Sequence, residues 1–226
     1  MQIYEFFPED SSRESLLEVQ RIVSKRVKIK DNFRDIHHIA AADQAFLDNR
    51  IISGILTLDF SSLEITERTF SIQPIPFPYI PTFLSFREGP AIVNSFGKLK
   101  TKPDLLLIDG AGINHPRGIG LATHIGIALD VPTIGITKKI LCGKGAQPCN
   151  VGEASPLVYM DKTVGWLLKS SKKSKPIVVA PGHNVSLESS LSIVMACLRG
   201  HKLPEPARLV HEYVNACKKN LENDQA

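Results

Sequence analysis

The sequence predicts a single α/β domain, residues 1–226, built on a mixed sheet flanked by helices. Three observations carry this. Between residues 36 and 72 three strand-like runs follow one another with short connections, the pattern of an antiparallel meander. From residue 104 onward, DLLLIDG, GIGLATHIGIALD and VPTIGIT read as apolar strand, helix and apolar strand, a βαβ unit whose strands run parallel. At 226 residues the chain has room for one full core, and no repeat, low-complexity linker or change of composition divides it.

The elements follow in order. Ser11 and Glu14 have the spacing of a capping box, and Leu16, Val19, Val23 and Val27 recur at helical spacing, so a first amphipathic helix is expected over 12–28. IHHIAAAD (36–43), IISGILTLDF (51–60) and LEITERTFSI (63–72) are the meander, turning at Asp48-Asn49 and Ser61-Ser62. PIPFPYIP (74–81) carries four prolines and is expected to be a stiff, extended surface loop. A helical pattern resumes through TFLSFREGPAIVNSFGKL, with a break expected near Gly89-Pro90. After the βαβ unit, LVYMDKTVGWLLKS reads as a hairpin turning at Asp161-Lys162 and KPIVVAPGH as a last strand. Ser186 caps a helix through Cys197, and Pro206 opens a final one through Lys219.

Composition excludes several classes. Apolar residues at 43% and charged residues at 22% are those of an ordinary soluble globular chain, neither disordered nor fibrous. Cys142, Cys149, Cys197 and Cys217 include no C-x-x-C pair, so neither a zinc site nor a disulfide framework is indicated. No apolar run approaches 18 residues and the N-terminal stretch lacks the pattern of a targeting signal, so a soluble cytoplasmic protein without a membrane partner is expected, with a monomer as the default. A net charge of +4 and a pI of about 8.8 suit a polyanionic partner without requiring one.

Chemistry concentrates where carboxylates fall at strand ends. In open α/β sheets ligands bind beyond the carboxyl ends of parallel strands, and Asp109 ends the apolar run Leu105 to Ile108 at such a place. Asp43 ends the first strand in the same manner. Either aspartate alone is more readily read as a turn or helix cap. Together with Glu88 of FREGP and Asp104 of KPD, however, they would make an acidic cluster if the strands are neighbours. Oxygen ligands without cysteine select hard cations, Mg²⁺ or Mn²⁺, and carboxylate-held metals beside a basic surface point to phosphodiester hydrolysis.

The blocks FPYIPTFLSFREGP, KPDLLLIDGAGINHPRGIGLATHIG, VPTIGITKKIL, APGH and EPARLVHEY, in this order over about residues 36–217, resemble endonuclease V, the deoxyinosine-directed nuclease family of the ribonuclease H-like superfamily. The resemblance implies a five-stranded mixed sheet, three antiparallel strands followed by parallel ones. It implies that Asp43, Glu88 and Asp109 hold Mg²⁺, with Mn²⁺ as a substitute, and that Asp104 supports the site from the start of the same strand. His211 matches a position near the metals, and Lys138 one that holds the scissile phosphate or orients water, a part Lys139 could also take. Pro78, Tyr79, Ile80 and Pro81 match a wedge that fills the gap left by an extruded nucleotide, and a proline-stiffened loop loses little entropy on insertion. Gly110, Gly112 and His115 match the pocket for the flipped hypoxanthine, with Thr82 and Leu84 beside it. His124 and His183 fall in family blocks and are expected to be structural.

Six positions depart from the family pattern. Thr82 stands where glycine is usual after the wedge, placing a β-branched residue against the base pocket. Gln44, Ala45 and Phe46 replace hydroxyl-bearing residues after Asp43, and Ala111 and Ala180 alter the DGQG-like and SPGH blocks. The expected function is a metal-dependent endonuclease that recognises deoxyinosine in DNA, with inosine in RNA as a second substrate. It would hydrolyse the second phosphodiester on the 3′ side to leave 3′-hydroxyl and 5′-phosphate ends. The alternatives are a related nuclease with altered lesion or structure specificity and a binding module that does not cut. DGAG is neither a dinucleotide fingerprint nor a P-loop, so a metabolic enzyme lacks support.

Overall fold

The computed structural model describes residues 5–224. Residues 1–4, part of the stretch read above for a targeting signal, lie outside the described residues. In chain order the elements are α1 (Arg13–Ser24), β1 (His38–Leu47), β2 (Arg50–Asp59), β3 (Ile65–Pro74), α2 (Leu84–Phe96), β4 (Leu105–Asp109), α3 (Leu121–Leu129), β5 (Thr133–Thr137), β6 (Ala154–Tyr159), β7 (Lys162–Leu168), β8 (Ile177–His183), α4 (Leu187–Ala196) and α5 (Glu205–Asn223).

The strands form one mixed sheet in the order β3-β2-β1-β4-β5-β8-β7-β6. β1, β2 and β3 make the antiparallel meander, and β4 and β5 add to β1 in parallel. The expected class is therefore the class found. The sheet has eight strands, not five, because β8, β7 and β6 extend it beyond β5, all antiparallel.

The apolar run Leu105 to Ile108 of β4 is explained by helices on both faces. Leu106 and Ile108 join one core, with Leu16 and Val23 of α1, Phe86 and Ile92 of α2 and Ile125 of α3. Leu105 and Leu107 join the other, with Val194 of α4 and Val210 and Val214 of α5. Burial of each such side chain is worth roughly 1.5–3 kcal/mol, so this strand is a firm mount for whatever follows it.

Several boundaries differ from expectation. Ser12, not Ser11, caps α1 by accepting from Ser15 N–H, with Asp10 bonded to Ser12 in turn. The helix stops at Ser24 because the chain is then drawn onto the end of β8, where Asn184 N–H donates to the Lys28 carbonyl. The β6–β7 hairpin turns at Met160-Asp161, both at positive φ, as a two-residue hairpin between paired Tyr159 and Lys162 requires. α2 is unbroken through Pro90. An interior proline costs about 3 kcal/mol, and here the buried face that includes Phe86, Ile92, Val93 and Phe96 outweighs it. β1 does not end at Asp43 but runs on to Leu47 along β2. What ends beside Asp43 is the parallel pairing with β4, whose last partners are Ala42 and Ile108. Among the described residues no helix is long and apolar enough to cross a membrane.

Candidate active site

Asp43 and Asp109 are the next residues on their strands after the last β1–β4 pair, Ala42 and Ile108. Side chains alternate along a strand, and Asp43 shares a face with Ala41 and Ala45 as Asp109 does with Leu107, all in the core beneath α5. Adjacent strands lie about 4.8 Å apart, so the two carboxylates meet side by side at the point where the strands part. Asp43 is buried and Asp109 partly so.

α5 supplies the next group. Gly54 pairs with Asp43 across β2, and a Cβ there would come within 2.5 Å of Val214 Cγ1. The missing side chain lets α5 sit directly on the sheet. One turn earlier on that helix, His211 Nδ1 lies 2.7 Å from Asp43 Oδ2. From the exit of β5, Lys138 Nζ reaches Asp109 Oδ2 at 3.4 Å.

Glu88 completes the group from the first half of α2. It is 8% exposed, and no hydrogen bond to its carboxyl is found among the described residues. Burial, then repulsion from Asp109 and Asp43, pushes its pKa up to about 8. Burial and Asp109 likewise raise Asp43, against the opposing hydrogen bond from His211. Three carboxylates thus repel one another at the carboxyl ends of the parallel strands, and such an arrangement is costly without a cation. Among the described residues no group of three or more His, Cys, Asp or Glu side chains stands in an arrangement that could hold a metal ion. The donor set, all oxygen with a histidine at its edge, nonetheless fits a hard divalent ion.

A cavity of about 340 Å³ opens beside Asp109, lined by Tyr79, Ile80, Pro81 and Thr82 on one side and by Gly110, Ala111, His115 and Leu121 on another. Leu84 and Ser85 at the start of α2 contribute to it, and Lys139, Ile140 and Leu141 close the rim. Tyr79 is 68% exposed at its mouth, a large aromatic ring offered to solvent on a proline-bound loop.

These features sit on a chain whose relatives are known. The sequence profile of the family described as Endonuclease V matches residues 21–212. This chain belongs to the endonuclease V family. It is an enzyme, a nuclease acting on phosphodiester bonds. The endonuclease V of Dictyoglomus thermophilum is 39% identical over 201 residues, 88% of each chain. That of Archaeoglobus fulgidus is 37% identical over 211 residues, 92% of this chain and 94% of its own. Among solved structures, the Bacillus subtilis endonuclease V superposes with a TM-score of 0.91 at 28% identity, covering 99% of this chain and 100% of that one. A Ciona intestinalis endonuclease V, in complex with a 23mer DNA containing an inosine followed by a ribo-adenosine, shares the fold with a TM-score of 0.82 at 19% identity, covering 92% and 97%.

Within this endonuclease V fold, not every expected site residue joins the site. Asp104 sits at the opposite end of β4, roughly 16 Å of strand away from Asp109. It does not enlarge the acidic cluster. Its Oδ2 accepts the backbone N–H groups of His37 and His38, each at 2.8 Å, and so pins the entry of β1 against β4. Pro78 and Gly112 do not line the cavity. Gly112 lies against the carbonyl of Pro181, where a Cβ would come within 2.3 Å, and its N–H is taken by Asn114 Oδ1. Gly110 N–H is bonded to the Ile136 carbonyl, so both amides are occupied. Lys138 and Lys139, interchangeable by sequence, divide by position: the first faces Asp109 and the second the cavity.

His124 is fully buried, stacked on Phe7, with its Nε2 against the Phe6 carbonyl, and burial pulls its pKa down to about 4. His183 accepts from Lys28 N–H through Nδ1. Both fit structural roles. Sequence reasoning missed Ile140 and Leu141, which continue the β5 exit as two exposed apolar residues after two lysines, a local signal that was legible. It also missed Gln20 and Arg117, whose partners lie far along the chain.

Proposed function

We propose that this chain recognises deoxyinosine in DNA and hydrolyses the second phosphodiester bond on its 3′ side, leaving 3′-hydroxyl and 5′-phosphate ends. The observation that carries the reading is the buried Glu88 facing Asp43 and Asp109 beside an open cavity with an exposed aromatic at its mouth. Asp43, Glu88 and Asp109 would hold Mg²⁺, or Mn²⁺ in its place. Such an ion, when bound, stabilises charge developing on the phosphate and lowers the pKa of water.

The chain's own groups account for the rest. His211 fixes the rotamer of Asp43 through its Nδ1 and stands half-exposed at the edge of the site. Lys138, already drawn to Asp109, would hold a non-bridging phosphate oxygen. The cavity falls within the roughly 300–1,000 Å³ of small-ligand pockets, room for one extruded nucleotide. Tyr79 and Ile80 would stack in the gap that nucleotide leaves. The net charge of +4 would add affinity that does not depend on sequence and weakens with salt. The Ciona intestinalis relative was solved with inosine-containing DNA, which makes that base the first to test.

The test is an end-labelled duplex with one deoxyinosine, incubated with Mg²⁺ beside an undamaged duplex and the matching inosine RNA. One cut beyond the lesion, with a 5′-phosphate on the downstream product, is expected. Cleavage of mismatched or abasic duplexes in preference to deoxyinosine would instead favour the nuclease of altered specificity.

A further inference from the structure

Thr82 has φ of +70°. The left-handed region favours glycine, tolerates Asn and Asp, and is a true outlier for a β-branched residue. Among the described non-glycine residues at positive φ, Thr82 is the β-branched one. It is also the joint between the exposed Tyr79-Ile80-Pro81 segment and α2, the helix that carries Glu88.

Strain of this kind persists only where neighbours over-determine it. The Thr82 carbonyl faces Gln20 Nε2 at 2.8 Å, Arg117 Nη2 at 3.0 Å and His115 Nε2 at 3.1 Å. Arg117 Nη2 also donates to the Thr82 hydroxyl at 2.7 Å, and Arg117 Nε donates to Gln20 Oε1 at 2.6 Å. The guanidinium lies over the ring of Phe83, 4.9 Å from its centroid. Gln20 is fully buried on α1, so its amide is committed to this cluster. Three separate segments, α1, the loop before α2 and the turn after β4, are tied at one carbonyl.

The tautomer of His115 follows from the same geometry. Arg117 N–H donates to His115 Nδ1 at 3.2 Å, so the ring proton sits on Nε2 and points at the Thr82 carbonyl. Burial pulls the His115 pKa down to about 4, which keeps the ring neutral. Both nitrogens are therefore occupied. His115 lines the cavity with its ring and has no free donor for a base.

We propose that Gln20 and Arg117 are positioning residues for base recognition. By clamping the Thr82 carbonyl they hold residue 82 in its left-handed conformation, and so fix the Tyr79-Ile80-Pro81 segment against the cavity before nucleic acid arrives. The substrate half of this inference rests on the deoxyinosine reading above; the clamp itself does not.

Without Arg117, residue 82 relaxes toward negative φ and the segment leaves its place on the cavity rim. The consequence is a loss of pre-organisation, read in KM more than in kcat. Glycine at position 82 would carry the same conformation without strain, so it should make the clamp dispensable.

The experiment compares wild type, Arg117→Ala, Arg117→Lys, Gln20→Leu, Thr82→Gly and the double variant Arg117→Ala/Thr82→Gly. Amide hydrogen exchange over residues 79–86 is read first, without substrate, and then KM and kcat on the deoxyinosine duplex. Arg117→Ala is expected to speed exchange in that segment and not in β4, and to raise KM by about 10- to 100-fold with kcat largely kept, the scale of a misplaced binding element. Arg117→Lys should behave like the alanine variant, because an ammonium lacks the fork, whereas a plain attraction to phosphates would leave it like wild type. Gln20→Leu, close in volume to the native residue, should show the same effects more weakly. Thr82→Gly should restore most of what Arg117→Ala loses. Unchanged exchange in Arg117→Ala, or a double variant no better than the single one, would overturn the clamp. If wild type does not cut at deoxyinosine, the functional reading fails, and the exchange comparison still decides the clamp.

Discussion

Asp104 and Asp109 stand at the two ends of one five-residue strand. Asp104 has two backbone N–H donors on one oxygen and joins β1 to β4 where they begin. Among the described residues Asp109 has only a lysine at 3.4 Å, and it faces two further carboxylates. A carboxylate that the fold satisfies serves the fold, whereas carboxylates brought together, with Glu88 given no hydrogen bond among the described residues, carry a folding cost that a cation offsets. The same residue type thus does opposite work at the two ends of β4, and substitutions should separate the two.

The largest difference is expected in cleavage. Asp109→Asn or Asp43→Asn should lower the rate on the deoxyinosine duplex on the order of a thousandfold, the scale of losing a group that positions or stabilises transition-state charge. Thermal stability in metal-free buffer should not fall, because repulsion is removed. A destabilised variant would break the comparison. Next, Lys138→Ala should slow cleavage by about 10- to 100-fold, and Lys139→Ala, which faces the cavity instead of Asp109, should act mainly on KM. Equal effects on kcat from both would show that position does not distinguish them.

At the other end, Asp104→Ala should cost about 1–3 kcal/mol by leaving backbone donors unpaired, measured as a lower urea midpoint. Asp104→Asn, which keeps an acceptor oxygen, should cost less. A further effect concerns pH. Glu88 has a folded-state pKa of about 8 against an ordinary value of 4.5. An acid raised on folding favours the protonated folded form, so its contribution to stability falls as pH rises from about 4.5 to 8. In chelator, urea midpoints of Glu88→Gln should lack that decline, and a parallel pH profile in the two proteins would contradict the burial of an unsatisfied carboxyl.

Much of the fold was legible because its signals are local. Alternation and turn residues placed the meander, and continuous apolar runs placed β4 and β5 with helices on both faces. The errors arose where tertiary packing prevailed. β1 continues past Asp43 because β2 pairs with it to Leu47, and α2 passes through Pro90 because its buried face holds it. The three added strands β8, β7 and β6 were each readable as hairpin or strand, but their place beyond β5 was not.

The site divided along the same line. Asp43, Glu88, Asp109, His211 and Lys138 lie near one another, although they arrive from β1, α2, β4, α5 and the exit of β5. Asp104 shared the residue type and the strand without sharing the end, which no spacing argument distinguishes. Gln20 lies 62 residues before Thr82 and Arg117 lies 35 after it, so their convergence on one carbonyl left no periodic trace in the sequence.

The most direct measurement is single-turnover cleavage of an end-labelled deoxyinosine duplex, with Mg²⁺ titrated against wild type, Asp109→Asn and Asp104→Asn. Cutting that depends on Mg²⁺ in wild type and Asp104→Asn, and is lost in Asp109→Asn, is the expected result. An Asp109→Asn protein that cuts as wild type does would contradict the assignment of the carboxyl end of β4 as the catalytic centre.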